Sequence, residues 1–346
     1  MSATPANHTA PIIVALETSC DETACAVLRG EELLAAEVAS QIALHALTGG
    51  VVPEVASRNH LRALRPVLES ALGRAGVRLE DISAFAATRG PGLASSLMIG
   101  MSAAKGMAVA FGKPFIGVNH IEGHLLSPFF GQGGVRPAIG LVVSGGHTLL
   151  VEVKAVGDYR LLGSTVDDAA GEAFDKVGKL LGLPYPGGPN VERVARGGST
   201  TAFDFPRSML HSDDFAFSFS GLKTSVRYLL PKLAEAAATP GGVPMADVCA
   251  SFQEAIVDVL AAKALRAVRE TGRRTLAVSG GVSCNGRLRE KLREQCARAG
   301  LELLLAEPAL CTDNAAMIGY VAALRFAAGH TSGLASELDP NLKLVA

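Results

Sequence analysis

Two histidines four residues apart, His120 and His124 in the run Asn119-His120-Ile121-Glu122-Gly123-His124, are the side chains in this sequence most suited to chemistry. On a helix that spacing sets both imidazoles on one face, which is half of a metal site. The acid between them is misplaced for proteolysis. In an HExxH peptidase helix the glutamate that acts as general base directly follows the first histidine, whereas Glu122 lies two residues past His120 and well round the helix from both rings. Two histidines satisfied by local hydrogen bonds would give the same pattern, and the pentad alone leaves both readings open. The segment Lys113 to Val118 reads as a short buried strand, so the histidines are expected where a strand gives way to a helix.

Other polar groups fall at turns between apolar runs. Pro11 to Leu16 and Ala24 to Leu28 flank Glu17-Thr18-Ser19-Cys20-Asp21-Glu22-Thr23, which predicts a hairpin with a polar tip. Hydroxyls, backbone amides and the carboxylates of Asp21 and Glu22 suit a phosphate or a solvated cation there, or simply form an Asp/Ser/Thr turn. The plan returns at Ala138 to Val143, Ser144-Gly145-Gly146-His147-Thr148 and Leu149 to Val153. A strand, polar tip and strand near the start of each half predicts two related lobes facing one cleft. Thr275 to Val278, Ser279-Gly280-Gly281 and a helix after Gly286 form a third glycine turn, which lacks the GxxxxGK[ST] spacing of a P-loop. Arg89-Gly90-Pro91-Gly92 opens a small-residue helix from Leu93 to Phe111 whose start suits either an anion or close packing. Asp167 or Asp168 is expected to cap a helix running to Leu181, and Pro184 to Pro189 makes a rigid loop that lets backbone approach a ligand. Cys311-Thr312-Asp313-Asn314 precedes a final helix, Ala315 to Ala328.

These elements must be carried by 346 residues, 49% of them apolar, enough for one large or two medium domains. Thirty-eight glycines and no tryptophan fit glycine turns between aliphatic strands and Ala-rich helices, an α/β composition. The division expected is a first lobe over 11–118 and a second over 119–324, with an irregular insertion near 198–245 broken at Pro240-Gly241-Gly242. The end, 325–346, should pack back on the first lobe. A formal charge of −1 provides no global field for nucleic acid, so RNA contact must come from a partner or a local patch. Arg58, Arg62 and Arg65 on the helix after Pro53 are such a patch, or an ordinary solvated face. Six cysteines without CxxC spacing and a start lacking a leader pattern point to reduced thiols in a cytoplasm. No apolar run is expected to approach a membrane span.

Taken in order, Glu17 to Glu22 (ETSCDE), His120 to His124 (HIEGH), Val143 to His147 (VSGGH), Phe174 to Lys176 with Tyr185 to Gly188 (FDK, YPGG), Ser279 to Gly286 (SGGVSCNG) and Cys311 to Met317 (CTDNAAM) closely resemble the universal tRNA threonylcarbamoyladenosine transferase family, TsaD or Gcp, formerly labelled an O-sialoglycoprotein endopeptidase. The wording ETSCDET with TGGVVPEVASRNH resembles its bacterial branch. The resemblance implies the two-lobed fold of actin, Hsp70 and sugar kinases (ASKHA, ribonuclease H-like) with a nucleotide cleft between the lobes. It implies transfer of a threonylcarbamoyl group from threonylcarbamoyl-AMP to N6 of adenosine 37 in tRNAs reading ANN codons. It gives His120, His124 and Asp313 as ligands of one Fe2+, a set whose donor types suit Zn2+ equally. Val142, Val143, Ser144, Gly145, Gly146, Asp175, Gly188 and Asn285 match positions that hold the adenylate. Val142 stands where archaeal-type members carry a tyrosine, so no tyrosine ligand is expected. No general base is assigned, and Asp21 and Glu22 are left with supporting roles. The implied partners are a degenerate actin-like paralogue of the TsaB type, a small ATPase of the TsaE type and a TsaC-type enzyme that makes the adenylate. Leu93 to Phe111 is the candidate docking helix. The competing readings are a nucleotide-dependent, chaperone-like binding module of the same fold, which would not need the His120, His124 and Asp313 cluster, and a metalloprotease.

Overall fold

Apolar runs broken by short polar turns build two five-stranded sheets with the same connectivity. The computed structural model describes residues 10–236 and 244–345, so the break expected at Pro240-Gly241-Gly242 lies outside the described residues. The first half comprises β1 (Ile12–Glu17), β2 (Glu22–Arg29), β3 (Glu32–Ser40), α1 (Ile42–Ala46), α2 (Pro53–Ala75), β4 (Ala84–Gly90), α3 (Ala94–Phe111), β5 (Phe115–Asn119) and α4 (His120–Leu126). The second comprises β6 (Ala138–Val143), β7 (Thr148–Ala155), β8 (Asp158–Ser164), α5 (Ala170–Leu180), α6 (Gly187–Ala195), α7 (Ser220–Ala236), α8 (Met245–Thr271), β9 (Thr275–Ser279), α9 (Gly286–Ala299), β10 (Glu302–Leu305), α10 (Pro308–Cys311) and α11 (Ala315–Ala327). The sheet orders are β3-β2-β1-β4-β5 and β8-β7-β6-β9-β10, so strands six to ten repeat strands one to five. In each sheet the first three strands are antiparallel and the last two run parallel to the first. This is the two-lobed α/β arrangement expected from the paired hairpins.

Both sheets are covered on both faces, which is why β1 and β6 are apolar nearly throughout. Along β1, Val14 and Leu16 pack under α2 and α3 with Phe85 and Met101. Ile13 and Ala15 point the other way, into a core shared with Val142 and Val151 of the second sheet. Helices α4 and α11 form this middle layer, through Leu125, Met317, Ile318 and Tyr320. Gly140 and Gly319 lie where an added Cβ would collide with Leu125 and Leu28, so the glycines let the helices sit close to each sheet. The outer face of the second sheet carries α5 to α9 around Phe174, Phe252 and Leu260. Fully buried Lys263 donates to Ser212 Oγ at 2.9 Å and to the carbonyls of Asp214 and Ala216, which ties the irregular stretch before α7 to α8.

Several details depart from expectation. The chain crosses back to the first sheet at residue 315 instead of 325, because all of α11 belongs to the middle layer and packs on β1 and β2. The tail then follows it, with Ser332 N donating to Phe115 O and Asp339 N to Arg89 O. Asp167 does not cap α5, whose first amide is served instead by Thr148 Oγ1. Its carboxylate accepts from the amides of Phe219 and Ser220 at the start of α7. By length and composition α3 is apolar enough to cross a membrane, contrary to the expectation for any run; here it packs one face on the first sheet. Arg58 and Arg65 pair with Glu54 and Glu69 one turn away, leaving a largely neutralised, solvated face where a basic patch was considered.

Glu122 explains how the short helix α4 is anchored. It is 1% exposed, accepts from Tyr159 Oη of β8 at 2.8 Å, and pairs with Arg325 of α11. It thus faces away from the cleft and joins three elements, which removes it as a peptidase base. Arg325→Ala would strand a buried carboxylate, and urea unfolding should read a loss of about 3–5 kcal/mol, partly restored by adding Glu122→Gln.

Candidate metal centre and interlobe cleft

The end of β5 and the start of α4 set the two histidines in place. Asn119 caps α4, its Oδ1 accepting from the amides of Ile121 at 2.8 Å and Glu122 at 3.3 Å. From that cap His120 and His124 project on one face, ring centroids 4.8 Å apart and nearly perpendicular. Asp313 comes from 189 residues away, just before the Asn314 cap of α11. Its Oδ1 lies 3.0 Å from His124 Nε2 and 3.4 Å from His120 Nε2. One ligand atom from each of the three residues falls within 4.8 Å of the others.

On the far side of His120 stands Glu17, the last residue of β1 and fully buried. Its Oε2 accepts from Thr88 Oγ1 at 2.6 Å and from His120 Nδ1 at 3.1 Å, while Oε1 accepts from the Ser19 amide. Burial alone would lower the His120 pKa, yet the carboxylates of Asp313 and Glu17 hold it well above the usual imidazole value. Burial would likewise raise Asp313, but the two histidines draw it well below the usual carboxylate range. A fully buried carboxylate, Glu17, and a largely buried one, Asp313, facing two imidazoles leave negative charge in a poorly hydrated site, which a cation offsets. The donor types and this charge fit a divalent transition metal.

The cluster opens on a cavity of about 520 Å³ between the lobes. The first lobe contributes the hairpin tip Ser19 to Asp21, Glu22, Val51 and the turn Pro91 to Leu93. The second contributes Ser144 to His147, Asp175, Tyr185, Gly188, Glu192 and the turn Gly281 to Asn285. Gly280, at φ +88°, and Gly171 are places where an added Cβ would meet Val143 O or Ser144 O, so both hold the glycine turns tightly together. Of the residues matched to adenylate-holding positions, Ser144, Gly145, Gly146, Asp175, Gly188 and Asn285 line this cavity. Val142 and Val143 do not; their side chains are buried in the middle and outer cores respectively, leaving only backbone toward the turn. Asp175 accepts from Gly187 N at 2.7 Å, and burial raises its pKa against that bond. Asn285 caps α9 through Leu288 N and gives one Nδ2 hydrogen to Gln253 Oε1 at 2.7 Å.

Asp21 and Glu22 both reach the cavity. Burial, with Asp313 and Asp21 nearby, pushes Glu22 up to about 9, so its carboxyl is protonated at neutral pH. His147 is pushed down to about 4 by burial and by the charges of His120 and His124, which keeps its ring neutral. Sequence reasoning gave no role to Glu17, His147 or Glu192, whose Oε1 accepts from Gly286 N at 3.1 Å. For Glu17 a signal existed: a carboxylate closing an otherwise apolar strand must find buried donors.

Residues 32–320 match the family described as TsaD: tRNA N6-adenosine threonylcarbamoyltransferase. A protein of that name from Syntrophotalea carbinolica is 50% identical over 334 residues, covering 96% of this chain and 95% of its own. Another from Geotalea uraniireducens is 53% identical over 308 residues, covering 89% of each chain. Among solved structures, HypF of T. kodakarensis superposes at a TM-score of 0.64 with 15% identity, over 92% of this chain and 48% of that one. Component A of the Acidaminococcus fermentans (R)-2-hydroxyglutaryl-CoA dehydratase gives 0.52 with 16% identity, over 91% and 98%. At such identity these two speak for the fold alone. With a family match across most of its length and relatives half identical from end to end, the chain belongs to the tRNA N6-adenosine threonylcarbamoyltransferase (TsaD) family.

Proposed function

We propose that this chain transfers the threonylcarbamoyl group of threonylcarbamoyl-AMP to the exocyclic N6 of adenosine 37 in tRNAs that read ANN codons. The new bond joins N6 to the carbamoyl carbon, the carbamoyl C–O bond of the mixed anhydride breaks, and AMP leaves with that electron pair as the amine sheds a proton. The observation that carries the reading is the opening of the His120, His124 and Asp313 cluster onto a nucleotide-sized cavity walled by glycine turns.

His120, His124 and Asp313 would hold one Fe2+, the ion implied by the resemblance, with Zn2+ compatible on ligand type. When bound, the ion supplies Lewis-acid stabilisation to the oxygens of the adenylate and to charge gathering on the carbamoyl carbonyl. The chain's own groups orient the substrate. Exposed Gly145 and Gly146 let a ligand approach the backbone between β6 and β7, and Ser144 braces that turn by accepting from His147 N at 3.2 Å. Asp175, held by the amides of Gly187 and Gly188, offers its remaining acceptor capacity to ribose hydroxyls. Val142 and Val143 act through backbone only, and Asn285 has one Nδ2 hydrogen to spare. Protonated Glu22 suits hydrogen-bond donation beside Asp21 and not proton abstraction. An already activated anhydride asks chiefly for alignment, so positioning and electrostatics can carry the step.

The near-neutral charge supports helpers for a polyanionic tRNA: a TsaB-type paralogue and a TsaE-type ATPase, with α3 as the docking candidate, all in a cytoplasm suited to six free cysteines. The chaperone-like reading gives the buried cluster no task, and Glu122's engagement with Arg325 disfavours the peptidase.

Asp313→Ala or His120→Ala should abolish retention of stoichiometric iron or zinc by anaerobically purified protein. The same variants should cut transfer from threonylcarbamoyl-AMP to unmodified tRNA by more than about a hundredfold. Undiminished transfer by Asp313→Ala would take the metal out of the mechanism. Gly171→Ala, which presses on the Ser144–Gly145 turn, should raise KM for the adenylate by about tenfold while iron content stays at one per chain.

A further inference from the structure

We infer that Glu17 is a positioning residue for His120, fixing which ring nitrogen faces the cleft. The inference rests on the metal-centre reading of the cluster. Glu17 ends a strand whose other residues are apolar, and its carboxylate has no access to water. A carboxylate in that setting persists only with its oxygens satisfied. Here the donors are the Ser19 amide on Oε1, and Thr88 Oγ1 and His120 Nδ1 on Oε2. Ser19 Oγ lies 3.2 Å from the same Nδ1, so two oxygen atoms converge on that nitrogen.

The consequence is a defined tautomer. An oxygen acceptor at 3.1 Å keeps a hydrogen on Nδ1, so Nε2 is the nitrogen turned to the space shared with Asp313 and His124 and the one whose lone pair a bound ion would take. The second histidine lacks this arrangement. His124 Nε2 meets Asp313 at 3.0 Å, while its buried Nδ1 has no hydrogen-bond partner among the described residues. The two imidazoles are therefore inequivalent, and the orienting carboxylate is supplied to one of them by the first lobe. Because Thr88 of β4 and Ser19 of the hairpin tip hold the same carboxylate, the turn that lines the cavity and the ring that faces it are fixed by one group.

The test uses the full chain with Glu17→Gln, which keeps volume and one acceptor, and Glu17→Asp, which keeps charge but withdraws it by one methylene. Zn2+ alone is titrated against a chromophoric chelator, and the ring nitrogens of His120 are followed by 15N–1H correlation in metal-free protein. Wild type should show a single His120 form in which Nδ1 keeps its hydrogen. Both variants should lose that single form and bind Zn2+ about 10–100-fold more weakly, with far-ultraviolet circular dichroism and urea midpoint reporting a retained fold. The inference is overturned if either folded variant keeps the wild-type tautomer and binds Zn2+ within twofold of wild type. Should wild type and His120→Ala bind Zn2+ alike, the metal-centre reading fails instead. The nitrogen spectra still decide the role of Glu17 in that case: an unchanged tautomer in the variants overturns it, a lost one upholds it.

Discussion

Everything at the cleft depends on the wedging of a seven-residue helix, α4, between two sheets. A helix so short has no stability of its own in water, since nucleation costs more than so few hydrogen bonds return. All seven of its residues are buried, and side chains at and beside it tie it to the rest of the chain. Asn119 closes the N-terminus, and its Nδ2 donates to Lys343 O of the tail at 3.1 Å. Glu122 binds β8 and α11 at once, and Gly123 leaves just enough room for Met317 and Ile318. The histidines consequently sit at a fixed height relative to both lobes.

That placement sets the electrostatic character of the centre. Glu17, His120, His124 and Asp313 border a layer built of aliphatic residues with Met317, Phe129 and Tyr320, so little solvent screens their charges. Burial pushes Glu17, His120 and Asp313 toward their neutral forms, and their proximity to opposite charge reverses this for all three. Glu22, nearer the mouth, largely buried and with carboxylates but no cation beside it, goes the other way, its pKa pushed up to about 9. One patch of carboxylates thus divides into charged groups that can hold a cation and a neutral one that can donate, according to the partners each finds.

Much of this was legible in the sequence, and the gaps have physical causes. The polar tips at Ser19 to Asp21 and Ser144 to His147 stood out because strands buried on both faces tolerate polar residues only at their ends. The histidine spacing announced a shared face at once. Partnership over long range was hidden: nothing local to Asp167 says that it serves α7 and not α5, and nothing local to Glu17 points to an imidazole 103 residues on. The return of α11 to the first sheet was misjudged by ten residues because its apolar surface runs most of the way round, as a middle-layer helix requires, and so marks no boundary. Val142 and Val143 carried a motif position without a side chain in the site, since a turn read through its backbone leaves the preceding strand free to serve the core.

The repeated connectivity also accounts for the composition of the centre. α4 follows β5, and α10 and α11 follow β10, so the histidines and Asp313 come from equivalent points of the two halves. Both helices are capped by asparagine, Asn119 just before His120 and Asn314 just after Asp313. The hairpin tips form a second equivalent pair, and the turns after β4 and β9 a third, each lining the same cavity from opposite sides. Having matched positions, the halves diverge in chemistry. At the hairpin tips the first presents the carboxylates of Asp21 and Glu22, whereas the second presents Gly145 and Gly146, which bear no side chain to obstruct a ligand. A symmetric pair of polar tips would crowd like charges across the cleft at a cost of several kcal/mol. With carboxylates at one hairpin tip and bare backbone at the other, the repeated frame avoids that repulsion at the tips while its charged cluster stays at the pair formed by α4 and the start of α11.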